Sequence, residues 1–115
     1  CDIDGTLTHH VHRFSDLLDT EPILLPSVRE KFNQWDSQGH KIILCTARKE
    51  SAREMTEQQL KSLGLCWNQL IMGVTSGERV LINDKLNINH PNRAKAVNVI
   101  TNDGFKNTNW ESFGL

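Results

Sequence analysis

The sequence predicts a single α/β domain of the doubly wound, Rossmann-like type: a mostly parallel sheet with helices on both faces. Three observations carry that expectation. Short apolar runs alternate with helix-like stretches, which is how βαβ units read. Polar residues able to do chemistry follow three extended segments directly, as ligand-binding residues do at the carboxyl ends of parallel strands. The length of 115 residues is one small domain, 1–115, with no room for a second core.

The elements follow in chain order. Cys1-Asp2-Ile3-Asp4 has one residue ahead of Asp2, too few for a strand of ordinary length. An N-terminal piece of the natural protein is therefore expected to be absent from this sequence. Residues 8–25 show neither the helical nor the strand period and hold His9, His10 and His12, so a flap loop is expected there. Ser27 followed by Glu30 gives a capping-box pattern, Val28, Phe32 and Trp35 recur at helical spacing, and Gly39 supplies a stop; together they predict a helix over 27–38. Ile42 to Cys45 form a continuous apolar run, the mark of a strand covered on both faces. Ser51 and Glu54 repeat the capping pattern ahead of Ala52, Met55, Leu60 and Leu63, closed by Gly64, so a second helix is expected over 51–63. Leu70 to Met72, Val80 to Ile82 and Ala96 to Ile100 read as three further strands, the last ending at the Asn102-Asp103-Gly104 turn signal.

Composition excludes several function classes. With 13 basic and 14 acidic residues the formal net charge is −1, which leaves no electrostatic footprint for a duplex nucleic acid or an anionic membrane. The apolar runs are far shorter than the roughly 20 residues needed to cross a bilayer. Three cysteines, Cys1, Cys45 and Cys66, are odd in number, no secretory signal leads the chain, and a reducing, cytoplasmic setting is expected.

Asp2-Ile3-Asp4-Gly5-Thr6-Leu7 is the most informative string. It puts two carboxylates on one side of an extended segment and follows them with a Gly-Thr turn. Such a pair invites a hard divalent cation, which is commonly held by carboxylates together with substrate phosphate oxygens. A bare Asp-x-Asp also reads as a solvated acidic strand end. Two further strand ends shift the weight towards chemistry, because Ile42 to Cys45 runs into Thr46-Ala47-Arg48 and Val80 to Ile82 runs into Asn83-Asp84-Lys85.

With these strings in view, the chain resembles the haloacid dehalogenase superfamily of aspartate-nucleophile phosphohydrolases. Asp2-Ile3-Asp4-Gly5-Thr6 matches its first motif, Thr46 after an apolar strand its second, and Asp84 its acidic fourth. Local strings also resemble small members with a minimal cap that act in capsule or surface-sugar biosynthesis. The resemblance implies that Asp2 attacks phosphorus to give an aspartyl-phosphate, while Asp4 protonates the leaving oxygen and then activates water. It implies Mg²⁺ held by Asp2, the backbone carbonyl of Asp4, and Asp84. It further implies phosphate contacts from the Thr46 hydroxyl and from the backbone around Ile3, Asp4, Gly5, Thr6 and Ala47, with Arg48 beside them.

One departure stands out. The family's third motif is a Lys or Arg ahead of the fourth-motif strand, and Val74 stands where many small members carry lysine. Arg79 is the candidate replacement, with Lys49 and Lys85 as alternatives, since a guanidinium also pairs with phosphate and carboxylate. Asn83 is either a group orienting the metal ligands or a turn residue. The histidines lack partners at zinc-site spacing, Cys45 reads as core, and Trp35, Trp67 and Trp110 read as packing residues.

The expected function is Mg²⁺-dependent hydrolysis of a phosphomonoester, a sugar phosphate or another small phosphorylated metabolite. Substrate choice would then rest on the 8–25 flap, on a partner subunit in a homo-oligomer, or on the substrate's own bulk. Alternatives are a catalytically silent module that binds a metal or a partner, and a nucleic-acid end phosphatase, which the near-neutral charge disfavours.

Overall fold

The computed structural model describes residues 1–10 and 21–115. Among them two helices, two strands and two short 3₁₀ turns are regular. Helix α1, Val28–Ser37, buries Val28, Phe32 and Trp35, the three positions whose spacing predicted it. Strand β1, Ile43–Cys45, lies parallel to β2, Gln69–Ile71, with Leu44 opposite Leu70. A 3₁₀ turn, Glu50–Ala52, leads into helix α2, Arg53–Ser62, which buries Thr56 and Leu60. Because α2 connects two parallel strands, β1-α2-β2 is the expected βαβ unit.

Both helices end as their glycines predict. His40 N–H reaches back to the Trp35 carbonyl (3.0 Å), and Leu65 N–H to that of Leu60 (3.1 Å), so orphan carbonyls of each last turn are satisfied. The starts differ from expectation. Ser27 sits in the left-handed region (φ 65°) and its hydroxyl caps nothing, and neither Lys49 nor Ala52 caps the second helical stretch through its side chain. Ser51 falls inside the 3₁₀ turn, where its N–H is not the first donor of an α-helix.

Two expected strands are not formed. Val80, Leu81 and Ile82 are 81, 72 and 91% exposed and pair with no strand. The Ala96–Ile100 stretch is likewise irregular, although Val97 and Val99 pack against the core. A strand is a ladder, and neither run meets a neighbour to bond with. A parallel βαβ unit is present, and the described residues form neither the doubly wound sheet nor the helices on both of its faces that the sequence predicts. The predicted flap falls partly outside the described residues, as does His12. Its two ends pair antiparallel, with His9 N–H donating to the Ile23 carbonyl and Leu25 N–H to that of Leu7, both at 2.9 Å.

The core joins Ile3 and Leu7 to Leu44, Leu60 and Leu70, and continues into an aromatic cluster of Phe32, Trp35, Phe105 and Trp110. Trp35 and Trp110 meet edge to face with centroids 5.1 Å apart, as do Phe105 and Trp110 at 4.8 Å, the geometry that ring quadrupoles favour. The Trp110 indole N–H is satisfied by the Phe105 carbonyl at 2.9 Å. Trp67 packs on the edge of the same core.

Gly104 fixes how the C-terminal segment meets α1. Its φ is +73°, and an added Cβ would sit 2.6 Å from the Pro26 carbonyl oxygen, the atom that accepts the Phe105 N–H at 2.9 Å. Gly104→Ala should therefore lower stability by about 2–4 kcal/mol, combining a left-handed backbone with overpacking. Gly39, with φ +82° and open space around it, isolates the backbone part, and Gly39→Ala should lose only about 1 kcal/mol. Equal losses in urea unfolding of the two variants would refute the close approach.

Candidate active site

The first motif is anchored by backbone pairing to β1. The Cys1 nitrogen donates to the Ile43 carbonyl (2.6 Å) and Cys45 N–H donates to the Cys1 carbonyl (2.8 Å), the pattern of a parallel ladder with Cys1 beside Leu44. Asp2 and Thr46 thus leave the sheet at the same end, as the strand-end argument required. Ile3 and Leu7 are fully buried, and the Ile3 carbonyl accepts N–H groups from Thr6, Leu7 and Thr8 at 3.1, 2.8 and 3.2 Å. This tight turn holds Asp2 and Asp4 on partly exposed positions above an apolar anchor.

Asp2 has two partners. The Thr6 hydroxyl donates to its Oδ2 at 3.1 Å, and Arg79 Nη1 lies 3.0 Å from its Oδ1. Asp2, Thr6 and Arg79 share one cavity of about 670 Å³, whose other walls include Cys45, Trp35, Val97, Phe105 and Trp110. Lys49 and Lys85, the other two candidate cations, are exposed and do not line it. Cys45 is only half-buried rather than a core residue. Cys66, at the opposite end of the unit, has its thiol pushed up by burial, with Asp36 adding to the effect; a raised thiol is a poor nucleophile.

Asp4 is held differently. Arg48 Nη2 donates to its Oδ1 at 2.7 Å and Arg48 Nε to its Oδ2 at 2.9 Å, a bidentate pair of the strong, planar kind. The Arg48 side chain is 4% exposed, and its Nη1 donates to Thr56 Oγ1 (3.0 Å) and Gln59 Oε1 (2.8 Å) on α2. This corrects the expectation for Arg48, whose donors face Asp4 and α2 rather than a substrate phosphate. Sequence gave one hint of it: Thr56 and Gln59 are polar residues at helical spacing beside buried Leu60.

The remaining candidates distribute as follows. Thr46 is buried, and its Oγ1 accepts the Arg48 N–H at 3.1 Å, which leaves its own hydroxyl proton to give. Ala47 is exposed at the turn between them. Gly5 N–H is committed to the Thr8 carbonyl (2.7 Å) and Thr6 N–H to that of Ile3, so these two amides serve the turn and not a phosphate.

The metal set is not assembled. Asp2, Asp4 and Asp84 are hard oxygen donors of the kind Mg²⁺ takes, yet Asp84 sits in the exposed segment with both oxygens 3.1–3.2 Å from Arg93 Nη1. Asn83 donates to the Asp84 carbonyl at 3.2 Å. Among the described residues no three His, Cys, Asp or Glu side chains gather as a metal site, and His9 and His10 are exposed. The residues as placed therefore do not form a Mg²⁺ site.

A family comparison decides the class, since the model of the haloacid dehalogenase-like hydrolases matches residues 1–111. The chain belongs to the haloacid dehalogenase-like hydrolase family. Among solved structures, this hydrolase is similar to a chain in the "Structure of Pnkp1/Rnl/Hen1 complex", at 29% identity and a TM-score of 0.56. The likeness covers 70% of this hydrolase and 29% of that chain. A comparison with curated proteins finds no match. No described helix of this hydrolase is long and apolar enough to cross a membrane.

Proposed function

We propose that this hydrolase cleaves small phosphomonoesters, sugar phosphates first, through an aspartyl-phosphate on Asp2. The observation that carries this is the Asp2 carboxylate held between the Thr6 hydroxyl and the Arg79 guanidinium at the wall of a cavity. An Asp2 oxygen attacks phosphorus as the bond from phosphorus to the ester oxygen breaks, and Asp4 gives that oxygen its proton. Water then attacks the phosphorus of the aspartyl-phosphate, Asp4 takes the water's proton, and the Asp2 carboxylate returns with release of inorganic phosphate. Arg79, the cation beside the nucleophile, lowers the repulsion between two anions and stabilises charge on the transferring group. The Thr46 hydroxyl is a further phosphate donor.

Mg²⁺ dependence enters the proposal from family membership alone, because Asp84 stands with Arg93 and not with Asp2, and the test reads it directly. The test is phosphate release from sugar phosphates, 4-nitrophenyl phosphate and a 3′-phosphorylated oligonucleotide, each with Mg²⁺ and with EDTA. Release in Mg²⁺ alone, fastest on a sugar phosphate, is the expected result. Preference for the oligonucleotide would move the substrate class to nucleic-acid ends. A folded protein that releases nothing would be a silent binding module.

A further inference from the structure

We infer that the cavity beside Asp2 is a subsite for a flat ring carried by the substrate, so that this hydrolase takes phosphorylated sugars bearing an aromatic or heteroaromatic group with a hydrogen-bond acceptor. The inference rests on the phosphatase role proposed above for the place of the phosphoryl group. Two independent observations carry it. The cavity that holds Asp2, Thr6 and Arg79 measures about 670 Å³, within the roughly 300–1,000 Å³ of pockets that take whole organic ligands. A phosphoryl group at Asp2 and Arg79 leaves most of that space for the rest of the molecule. The other walls include Trp35, Val97, Val99, Phe105 and Trp110, side chains that reward an apolar ring and offer a hydroxyl-rich sugar little.

The second observation is an orphaned donor. Trp35 borders the cavity and is 7% exposed, and its indole N–H has no hydrogen-bond partner among the described residues. Trp110 shows the contrast, since its own N–H is taken by the Phe105 carbonyl. A buried donor without a partner is costly, and folded proteins keep few of them. A ligand that brings an acceptor to Trp35 relieves that cost. The N–H is sealed from solvent in the free protein, so the indole tips towards the cavity as the acceptor arrives.

The experiment compares esters that differ only beyond the phosphorylated sugar: glucose 6-phosphate against its phenyl and 4-acetylphenyl β-glucosides, and ribose 5-phosphate against uridine 5′-monophosphate. Dissociation constants are measured by calorimetry on full-chain Asp2→Asn, which binds without turning over, and kcat/KM on the parent. A ring should tighten binding about 10-fold or more over the bare sugar phosphate. The acetyl acceptor should add about 3-fold or more over phenyl. Trp35→Phe keeps a ring and removes the N–H, so it should erase the acetyl gain and retain most of the ring's. A merely structural role for Trp35 would shift both glucosides alike.

Should Trp35→Phe fail to fold, Ala96→Phe fills the cavity from an exposed position. It should return the ring-bearing esters to the affinity of the bare ones and leave the bare ones unchanged. A ring preference seen only with the glucosides, or only with the nucleotide, upholds the inference and names the source of the ring. Equal binding of bare and ring-bearing esters would overturn it, as would a ring preference that survives Ala96→Phe or an acetyl gain that is absent or survives Trp35→Phe. Absence of Asp2-dependent turnover on every ester, with the ring preference in binding intact, would overturn the phosphatase role alone.

Discussion

Asp2→Asn should lower phosphomonoester turnover by at least about 1,000-fold, because an amide oxygen cannot form the covalent intermediate and residual catalysis comes from binding and charge alone. The fold should survive. Asp2 and Arg79 are each about a third exposed or more, and an ion pair in that setting contributes at most about 1 kcal/mol. The variant should therefore melt close to the parent while the parent alone shows a phosphoryl adduct on the peptide carrying Asp2 after rapid quenching. Turnover within ten-fold of the parent, or an adduct on another residue, would remove Asp2 from the role of nucleophile.

The largest stability loss is expected at Phe32. It is fully buried, stacks on Phe105 at 6.3 Å and lies 5.6 Å from Trp35, so it joins α1 to the C-terminal segment across the middle of the aromatic cluster. Phe32→Ala removes that area and leaves a void that close-packed rings cannot fill, at about 3–5 kcal/mol. A domain of this size is commonly stable by only about 5–15 kcal/mol, so the variant should be largely or partly unfolded at modest urea. A loss under about 1 kcal/mol would mean that the cluster repacks and does not hold the segment.

What sequence reveals here divides along local and distant causes. The βαβ unit was legible because its signals are local: a continuous apolar run, helical spacing and a stopping glycine at Gly64. The first motif was equally legible, since Asp2, Asp4 and Thr6 lie within one turn. Val80 to Ile82 look as apolar as β1, but strandness is completed by a neighbour, and sequence does not show which neighbours meet. Ser27 carries the right residue type for a cap, yet its backbone stands in the left-handed region and its side chain makes no capping hydrogen bond. Arg48 was legible as a cation near the site and misread in its direction, because its partner Asp4 is 44 positions away. Arg79 reached Asp2 across a still longer separation, and only the missing lysine at position 74 drew attention to it.

The aromatic cluster also gives the molecule an optical character. The chain has three tryptophans and no tyrosine, so its near-ultraviolet signal comes from indoles with a minor phenylalanine part. Two of the three, Trp35 and Trp110, stand edge to face at 5.1 Å and border the same cavity as Asp2. Their transitions are close enough to couple, and their emission senses the polarity of that cavity. A ligand entering beside the nucleophile thus alters a fluorescence and dichroism signal built into the protein, with no label attached.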